Sequence, residues 1–251
     1  MTSSRPASAS LNIALVGYGA MGHEVERRAA EHNTVISARF DVDHPLQQSE
    51  LAGIDVAIEF THPEAALANM RTLLQAGVPV VVGTTGWLEQ LDAVEAMVGE
   101  SGGRLLYASN FSIGVNILFS VVRTAARLAE RHANFDAGVH EVHHVHKADS
   151  PSGTAFSLAA ILLEELSSKR GMLTRPSQGP IPHDTLHVTS QRLGETVGTH
   201  TVCFDGPAET IELTHRAKDR SGFADGALVA ARWLVAQGPG LYRFEQIFET
   251  A

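Results

Sequence analysis

The feature that most restricts the fold is a glycine-rich turn between an apolar run and a polar helical stretch. Leu11 to Val16 reads LNIALV, Gly17-Tyr18-Gly19-Ala20-Met21-Gly22 follows, and a helical pattern then runs from His23 to His32. A strand that ends in G-x-G-x-x-G and feeds a helix permits a tight turn, close backbone approach to a pyrophosphate, and close packing of helix on strand. The helix start faces the anion with its unpaired amides and the positive end of its dipole. Asp41 closes the next predicted strand, Val35 to Phe40, where a carboxylate can accept both ribose hydroxyls of an adenosine. The plainer alternative is a tight turn that needs glycine for its backbone alone. A 2′-phosphate would want a cation directly after the acidic residue, but Val42, Asp43 and His44 follow, and Arg39 precedes it on the alternating strand. NADH is therefore the preferred cofactor, with NADPH as the second candidate.

The strand, turn and helix pattern then recurs. Residues 54–60 form a third strand, Pro63 suits the first turn of a helix over 64–77, and 78–83 form a fourth strand. A helix from Trp87 to Val98 and a fifth strand over 104–109 follow. Continuous apolar strands separated by helices indicate a parallel sheet covered on both faces. The first part of the chain is thus expected to be a doubly wound, Rossmann-like α/β domain. Gly83, Thr84 and Thr85 end the fourth strand, and Ala108, Ser109, Asn110 and Phe111 end the fifth. Both segments lie on the carboxyl edge, where such a sheet holds its ligand, and are placed for the nicotinamide half. Either one alone would be ordinary strand-end turn chemistry.

After Ser112 the pattern changes. A long helix over 113–132 leads to strands at about 137–143, 184–191, 197–204 and 209–214, with a helix over 154–170 and a polar loop over 171–182. This predicts an α+β unit on a mainly antiparallel sheet, serving substrate binding and oligomerisation. A closing helix, 222–236, is assigned to the first domain. The expected division is a disordered leader over 1–10, a dinucleotide-binding domain over 11–112 and 216–251, and a substrate domain over 113–215.

Four of the 13 histidines, His140, His143, His144 and His146, crowd into one stretch that runs on through Lys147-Ala148-Asp149-Ser150-Pro151-Ser152-Gly153-Thr154. Were this segment extended throughout, His143 and Lys147 would stand ~13 Å apart. They can share a small substrate if the strand ends near His144 and the backbone curls before a helix begins near Thr154. The amides of Gly153 and Thr154 and the Thr154 hydroxyl would then form a carboxylate cradle at the helix start. An ammonium, imidazoles that titrate near neutrality and an anion cradle suit a small polyanionic substrate. Two other readings are surface histidines on a polar edge strand and a metal site. The metal reading is opposed by strand alternation and by the charge of Lys147.

Composition narrows the partners. With 251 residues and a formal net charge of -9, the chain offers no broad attraction to nucleic acid. A lone Cys203 forms no internal disulfide, and no apolar run spans a bilayer. A soluble, cytoplasmic protein without a membrane or nucleic-acid partner is expected.

The glycine loop, Gly83-Thr84-Thr85-Gly86, ASNFSIGVN (108–116), EVHHVHKADSPSGTA (141–155) and THRAKDRSGFADGALVAARWL (214–234) together resemble the 4-hydroxy-tetrahydrodipicolinate reductase family of lysine and diaminopimelate biosynthesis. The resemblance covers nearly all of residues 11–251. It implies that His143 donates and accepts protons, His144 contacts substrate, Lys147 donates a proton, and Gly153 with Thr154 hold a substrate carboxylate. It assigns cofactor contacts to Gly17 through Gly22, Asp41, Gly83 to Thr85, and Ala108 to Phe111. The implied reaction is hydride transfer from NAD(P)H to C4 of a cyclic imine dicarboxylate with loss of the 4-hydroxyl as water, in a homotetramer; from the residues themselves no metal is expected. The sequence departs from the family in a glycine loop one residue shorter and lacking its arginine, and in Val42 where a basic residue is frequent. It is also short around 42–54 and 171–183. The alternatives are another two-domain oxidoreductase, such as an aspartate dehydrogenase, and a nucleotide sensor without catalysis.

Overall fold

The computed structural model describes residues 10–132 and 134–248, so residues 1–9 of the expected leader lie outside the described residues. The chain divides into two compact units, one of residues up to Ser112 together with those from Ser221 onward, the other Ile113–Arg220.

In the first unit, strands β1 (Leu11–Val16), β2 (Thr34–Phe40), β3 (Val56–Glu59), β4 (Val80–Val82) and β5 (Arg104–Tyr107) alternate with helices α1 (Ala20–Ala29), α2 (Pro63–Gln75) and α3 (Leu91–Ser101). Pro63 opens α2, where its missing N–H is no loss. Gly102 ends α3 in the left-handed conformation that lets the chain reverse into β5. Every residue of β3 and β4 is buried, as a strand covered on both faces requires. Met70, Leu73 and Leu74 of α2 pack with Val94 and Val98 of α3 in a cluster that includes Val16, Val80, Val82 and Trp87.

In chain order the remaining elements are α4 (Ile113–Arg131), β6 (Asp136–His143), α5 (Gly153–Glu165), β7 (Gly171–Leu173), β8 (Thr185–Arg192), β9 (Thr199–Asp205), β10 (Thr210–Arg216), α6 (Ser221–Val235) and β11 (Gly240–Arg243). Helix α6 packs on α1 and on β3, β4 and β5. Arg28 Nε donates to Asp225 Oδ1 (2.8 Å), and Arg232 Nη2 donates to the carbonyl of His32 (2.8 Å). Gly226 is required there: a Cβ would stand 1.7 Å from the Phe111 carbonyl oxygen. Strand β11, which sequence periodicity missed because it is short and rich in polar flanks, pairs in parallel with β5 and completes the order β11-β5-β4-β3-β1-β2.

The second unit packs α4 and α5 together against a sheet of order β10-β9-β6-β8-β7. Buried Val115, Leu118, Val122 and Ala126 fall at helical spacing on α4, and Leu158 and Leu162 of α5 join the same core cluster as Leu118, Val122 and Ala126. Arg123 and Arg127 of α4 reach Glu165 of α5 at 2.6 and 2.9 Å. Here three expectations change. The pairings β10·β9 and β9·β6 are antiparallel, but β6·β8 and β8·β7 are parallel, so the sheet is mixed rather than mainly antiparallel. The helix expected to reach Arg170 stops at Glu165, and Lys169 turns inward to pair with Asp136 at 2.5 Å. The expected boundary before residue 216 would cut off the last residue of β10, which stays paired with Thr199.

Candidate active site

Strand β6 shows how the sequence builds the site. Its buried positions are Ala137, Val139, Glu141 and His143, so one face of the strand passes from apolar to ionisable as it nears its end. Glu141 is fully buried and His143 is 7% exposed. A carboxylate taken out of water must be satisfied, and here it is the centre of a network. The Ser152 amide donates to Glu141 Oε1 at 3.1 Å and Arg192 Nη2 donates to the same oxygen at 3.0 Å. His143 Nδ1 approaches Glu141 Oε2 to 2.6 Å, a close electrostatic contact in which neither atom has an aligned hydrogen-bond partner. His200 Nε2 stands 3.9 Å from the same oxygen and 3.0 Å from Ser152 Oγ. The rings of His143 and His200 meet edge to face at 5.0 Å.

These groups set one another's protonation. Burial pushes Glu141 up, but the nearby Ser190 hydroxyl and the hydrogen bonds of Ser152 and Arg192 outweigh it and hold the carboxyl below its usual range. Burial pulls the His143 imidazole down, aided by the charges of Lys147 and Arg192 and opposed by Glu141. Burial, with the charge of His143, brings His200 down to about 4. One anion thus faces the fixed cation of Arg192 and two imidazoles that resist a second charge.

The strand ends at His143, and the backbone turns at Val145 and His146, with the Lys147 amide donating to the His144 carbonyl at 3.2 Å. The strand thus stops before His144, and a turn intervenes between His143 and Lys147. Lys147 Nζ pairs with Asp149 Oδ1 at 2.7 Å and holds that carboxyl below its ordinary range. Arg192 Nη2 also donates to the Asp149 carbonyl at 2.7 Å. Ser152 caps α5, its Oγ accepting from the Ala155 amide at 3.2 Å, so Gly153 and Thr154 supply the first two helical amides. Gly153 is exposed and Thr154 half-buried. His144 is half-buried with a buried Nδ1 that lacks a partner, whereas His140 and His146 are exposed and pair with Thr189 and Glu195.

Glu141, Arg192, Ser152 and His200 were not among the residues singled out from sequence. Arg192 and His200 lie far along the chain and arrive by register: His143 is opposite Arg192 in β6·β8, and Glu141 is opposite His200 in β6·β9. Glu141 left a signal, since it stands two residues before His143 on the buried face of a strand. Glu141, His143 and His200 also bring metal-ligand atom types within 4.8 Å of one another. Arg192 and the Ser152 amide occupy Glu141 Oε1 and Ser152 Oγ lies beside His200 Nε2, whereas Glu141 Oε2 and His143 Nδ1 face each other with no aligned hydrogen-bond partner.

In the first unit the glycine loop fits a bound dinucleotide. Gly17 has φ +92°, and a Cβ there would meet the Phe60 carbonyl oxygen at 2.2 Å; at Gly22 it would meet the Gly17 carbonyl oxygen at 2.6 Å. At Gly19, the N-cap of α1, a Cβ would meet nothing within 4 Å. Two glycines shape the turn and the middle one borders open space, the division of labour a pyrophosphate cradle requires. Tyr18, Ala20 and Met21 complete the loop. Asp41 Oδ1 accepts from the amides of Asp43 and His44, both at 2.9 Å. Gly83 passes the Phe60 ring so closely that a Cβ would stand 1.9 Å from it. Thr84 turns inward and accepts from the Thr61 amide at 2.8 Å, while Thr85 and Ser109 are exposed. Asn110 Oδ1 accepts from the Ser112 amide at 2.8 Å; Ala108 and Phe111 are buried, the latter against Phe60 and Phe244.

Comparison with known proteins agrees with this geometry across both units. Residues 11–111 match the family profile described as dihydrodipicolinate reductase, N-terminus, and residues 114–248 match dihydrodipicolinate reductase, C-terminus. The chain belongs to the dihydrodipicolinate reductase family. A 4-hydroxy-tetrahydrodipicolinate reductase of Christiangramia forsetii is 39% identical over 228 residues, 89% of this chain and 92% of that protein. One of Methanopyrus kandleri is 45% identical over 195 residues, 77% of this chain and 70% of that protein. A dipicolinate-bound dihydrodipicolinate reductase of Paenisporosarcina sp. TG-14 shares the fold with a TM-score of 0.78 at 24% identity, covering 95% of this chain and 99% of that one. As a dihydrodipicolinate reductase family member the chain is an oxidoreductase, of a family that draws on NAD(P)H through its Rossmann-like domain.

Proposed function

We propose that the protein reduces 4-hydroxy-tetrahydrodipicolinate to tetrahydrodipicolinate in lysine and diaminopimelate biosynthesis. The observation that carries the reading is the joint presence, on one short segment, of His143, Lys147 and the helix start at Gly153 and Thr154, in a chain whose relatives bear that reductase name. A reduced nicotinamide supplies a hydride when bound. The chain's own residues must then hold a dianion and deliver one proton. The amides of Gly153 and Thr154 with the Thr154 hydroxyl bind one carboxylate at the positive end of α5, and His144 orients the substrate. The 4-hydroxyl leaves as water together with a proton from the adjacent carbon, hydride is taken up at C4 of the conjugated imine so formed, and Lys147 returns a proton to that adjacent carbon, while His143 polarises the substrate and relays protons. Overall, substrate, reduced cofactor and one proton yield tetrahydrodipicolinate, oxidised cofactor and water.

NADH is the preferred reductant in this reading, with NADPH second. Arg39, the basic residue beside Asp41, is held by Glu26 of α1 and lies over the Tyr18 ring at 5.8 Å, so its charge is already neutralised. That pairing keeps the Arg39 guanidinium firmly protonated while Glu26 drops to about 2. No described helix is long and apolar enough to cross a membrane. The reading places the protein in the cytoplasm as a homotetramer built through the second unit's sheet, which light scattering after size exclusion tests.

The function is tested by supplying pyruvate, aspartate semialdehyde and the preceding synthase, and following NADH and NADPH separately. Consumption of NADH that requires all three additions supports the proposal. Consumption with oxaloacetate and ammonia alone would favour an aspartate dehydrogenase, and binding without turnover would favour a sensor.

A further inference from the structure

We propose that Glu141 is a positioning residue whose buried carboxylate holds the His143 imidazole and, through Arg192 and Ser152, fixes the turn that carries Lys147. The inference deepens the functional reading and rests on it for the identity of the reaction. Its basis is geometric. Glu141 is fully buried, and its two oxygens divide their work. Oε2 faces His143 Nδ1 at 2.6 Å, while Oε1 takes the Ser152 amide at 3.1 Å and Arg192 Nη2 at 3.0 Å. Arg192 Nη2 also reaches the Asp149 carbonyl at 2.7 Å. Asp149 and Ser152 bracket the end of the turn, and Lys147 is tied to Asp149. One carboxylate therefore registers the imidazole against the turn bearing the ammonium and against the first residues of α5. A side chain that served packing alone would bury fewer polar contacts at lower cost, since removing a carboxylate from water costs several kcal/mol before any partner is found.

The charge has a direct consequence for His143. The groups facing its ring are Glu141 on its own strand, Arg192 on β8, His200 on β9, whose other neighbour is His215 on β10, and Lys147 on the turn. Glu141 alone among them favours the imidazolium, and Arg192 and Lys147 oppose it. Removing Glu141's charge and removing Arg192's charge must therefore move His143 in opposite directions. A residue that merely kept the fold together gives no reason for opposite signs.

The experiment is a pH titration of the His143 imidazole by 15N NMR in the full chain, for wild type, Glu141→Gln and Arg192→Gln, with pH profiles of kcat from the coupled assay. Glu141→Gln is expected to lower the His143 titration by about one pH unit and Arg192→Gln to raise it. In Glu141→Gln, kcat at neutral pH should fall about tenfold, in step with the lost imidazolium, while the KM for NADH stays put. Glu141→Asp, which keeps the charge, should restore part of the shift. A folded Glu141→Gln protein whose His143 titrates at the wild-type pH overturns the proposal, whatever its kcat. Should Glu141→Gln not fold, an unmoved His143 in Arg192→Gln overturns it by itself. The titration needs no substrate, so a wild-type protein inactive in the coupled assay would defeat the functional reading while leaving the Glu141 to His143 assignment separately decided.

Discussion

His143 and Arg192 face each other across the parallel register of β6 and β8, with the Glu141 carboxylate between them, 2.6 Å from one and 3.0 Å from the other. That register fixes where β6 ends and hence where the chain turns to present Lys147. Lys147→Ala is expected to cut turnover by ~10²–10⁴-fold while leaving NADH affinity unchanged, because the general acid is lost and the nucleotide site is untouched. Steady-state kinetics with NADH binding by fluorescence checks it, and near-normal turnover would remove Lys147 from the reaction.

His200 makes acid stability a second test. It is 5% exposed and its pKa falls from 6.5 to about 4 on folding, mainly through burial. The unfolded chain then binds more protons than the folded one between those values. Stability is complete above pH 6.5 and is lost as pH falls toward 4, by on the order of 3 kcal/mol for this group. Urea unfolding measured across that window should show the slope, and His200→Gln should flatten it. A His200→Gln slope equal to wild type would place the acid sensitivity in other groups.

Gly198 guards the other edge of the His143 ring. A Cβ at this position would stand 3.0 Å from His143 Nε2 and 3.8 Å from His200 Cε1. Gly198→Ala should displace the imidazole and lower kcat by between about 10- and 100-fold, since small errors of placement are costly at a reacting centre. Comparison of kcat with the thermal midpoint separates this from general destabilisation; unchanged kcat would show that the ring has room to spare.

Cofactor choice is expected to follow Glu26. Because Glu26 neutralises Arg39 beside the Asp41 turn, Glu26→Gln should free a guanidinium for a 2′-phosphate. The ratio of kcat/KM for NADPH to that for NADH should rise about tenfold. No change in the ratio would mean that Arg39 does not reach the ribose.

What the sequence disclosed depended on how local the signal was. The β1 to α1 glycine loop, the fully buried strands β3 and β4, and the curl from His143 to Thr154 are each written in contiguous residues, so periodicity and turn chemistry reveal them. Strand β11 and the parallel placement of β8 are set by long-range pairing with β5 and β6, which no local pattern encodes. The same division runs through the candidate site. His143, Lys147, Gly153 and Thr154 lie in one segment, whereas Arg192 and His200 join it only through the register of a mixed sheet. Phe111 shows the converse: its place at a strand end suggests ligand contact, yet its ring is buried between Phe60 and Phe244.

The most direct measurement follows the hydride itself. With NADH deuterated at the transferable C4 position and substrate generated in place, mass and NMR analysis of the product should find a single deuterium at C4 of tetrahydrodipicolinate, its formation slowed by ~10²–10⁴-fold in Lys147→Ala. Deuterium retained in the cofactor, or delivered to any other carbon, would contradict the account.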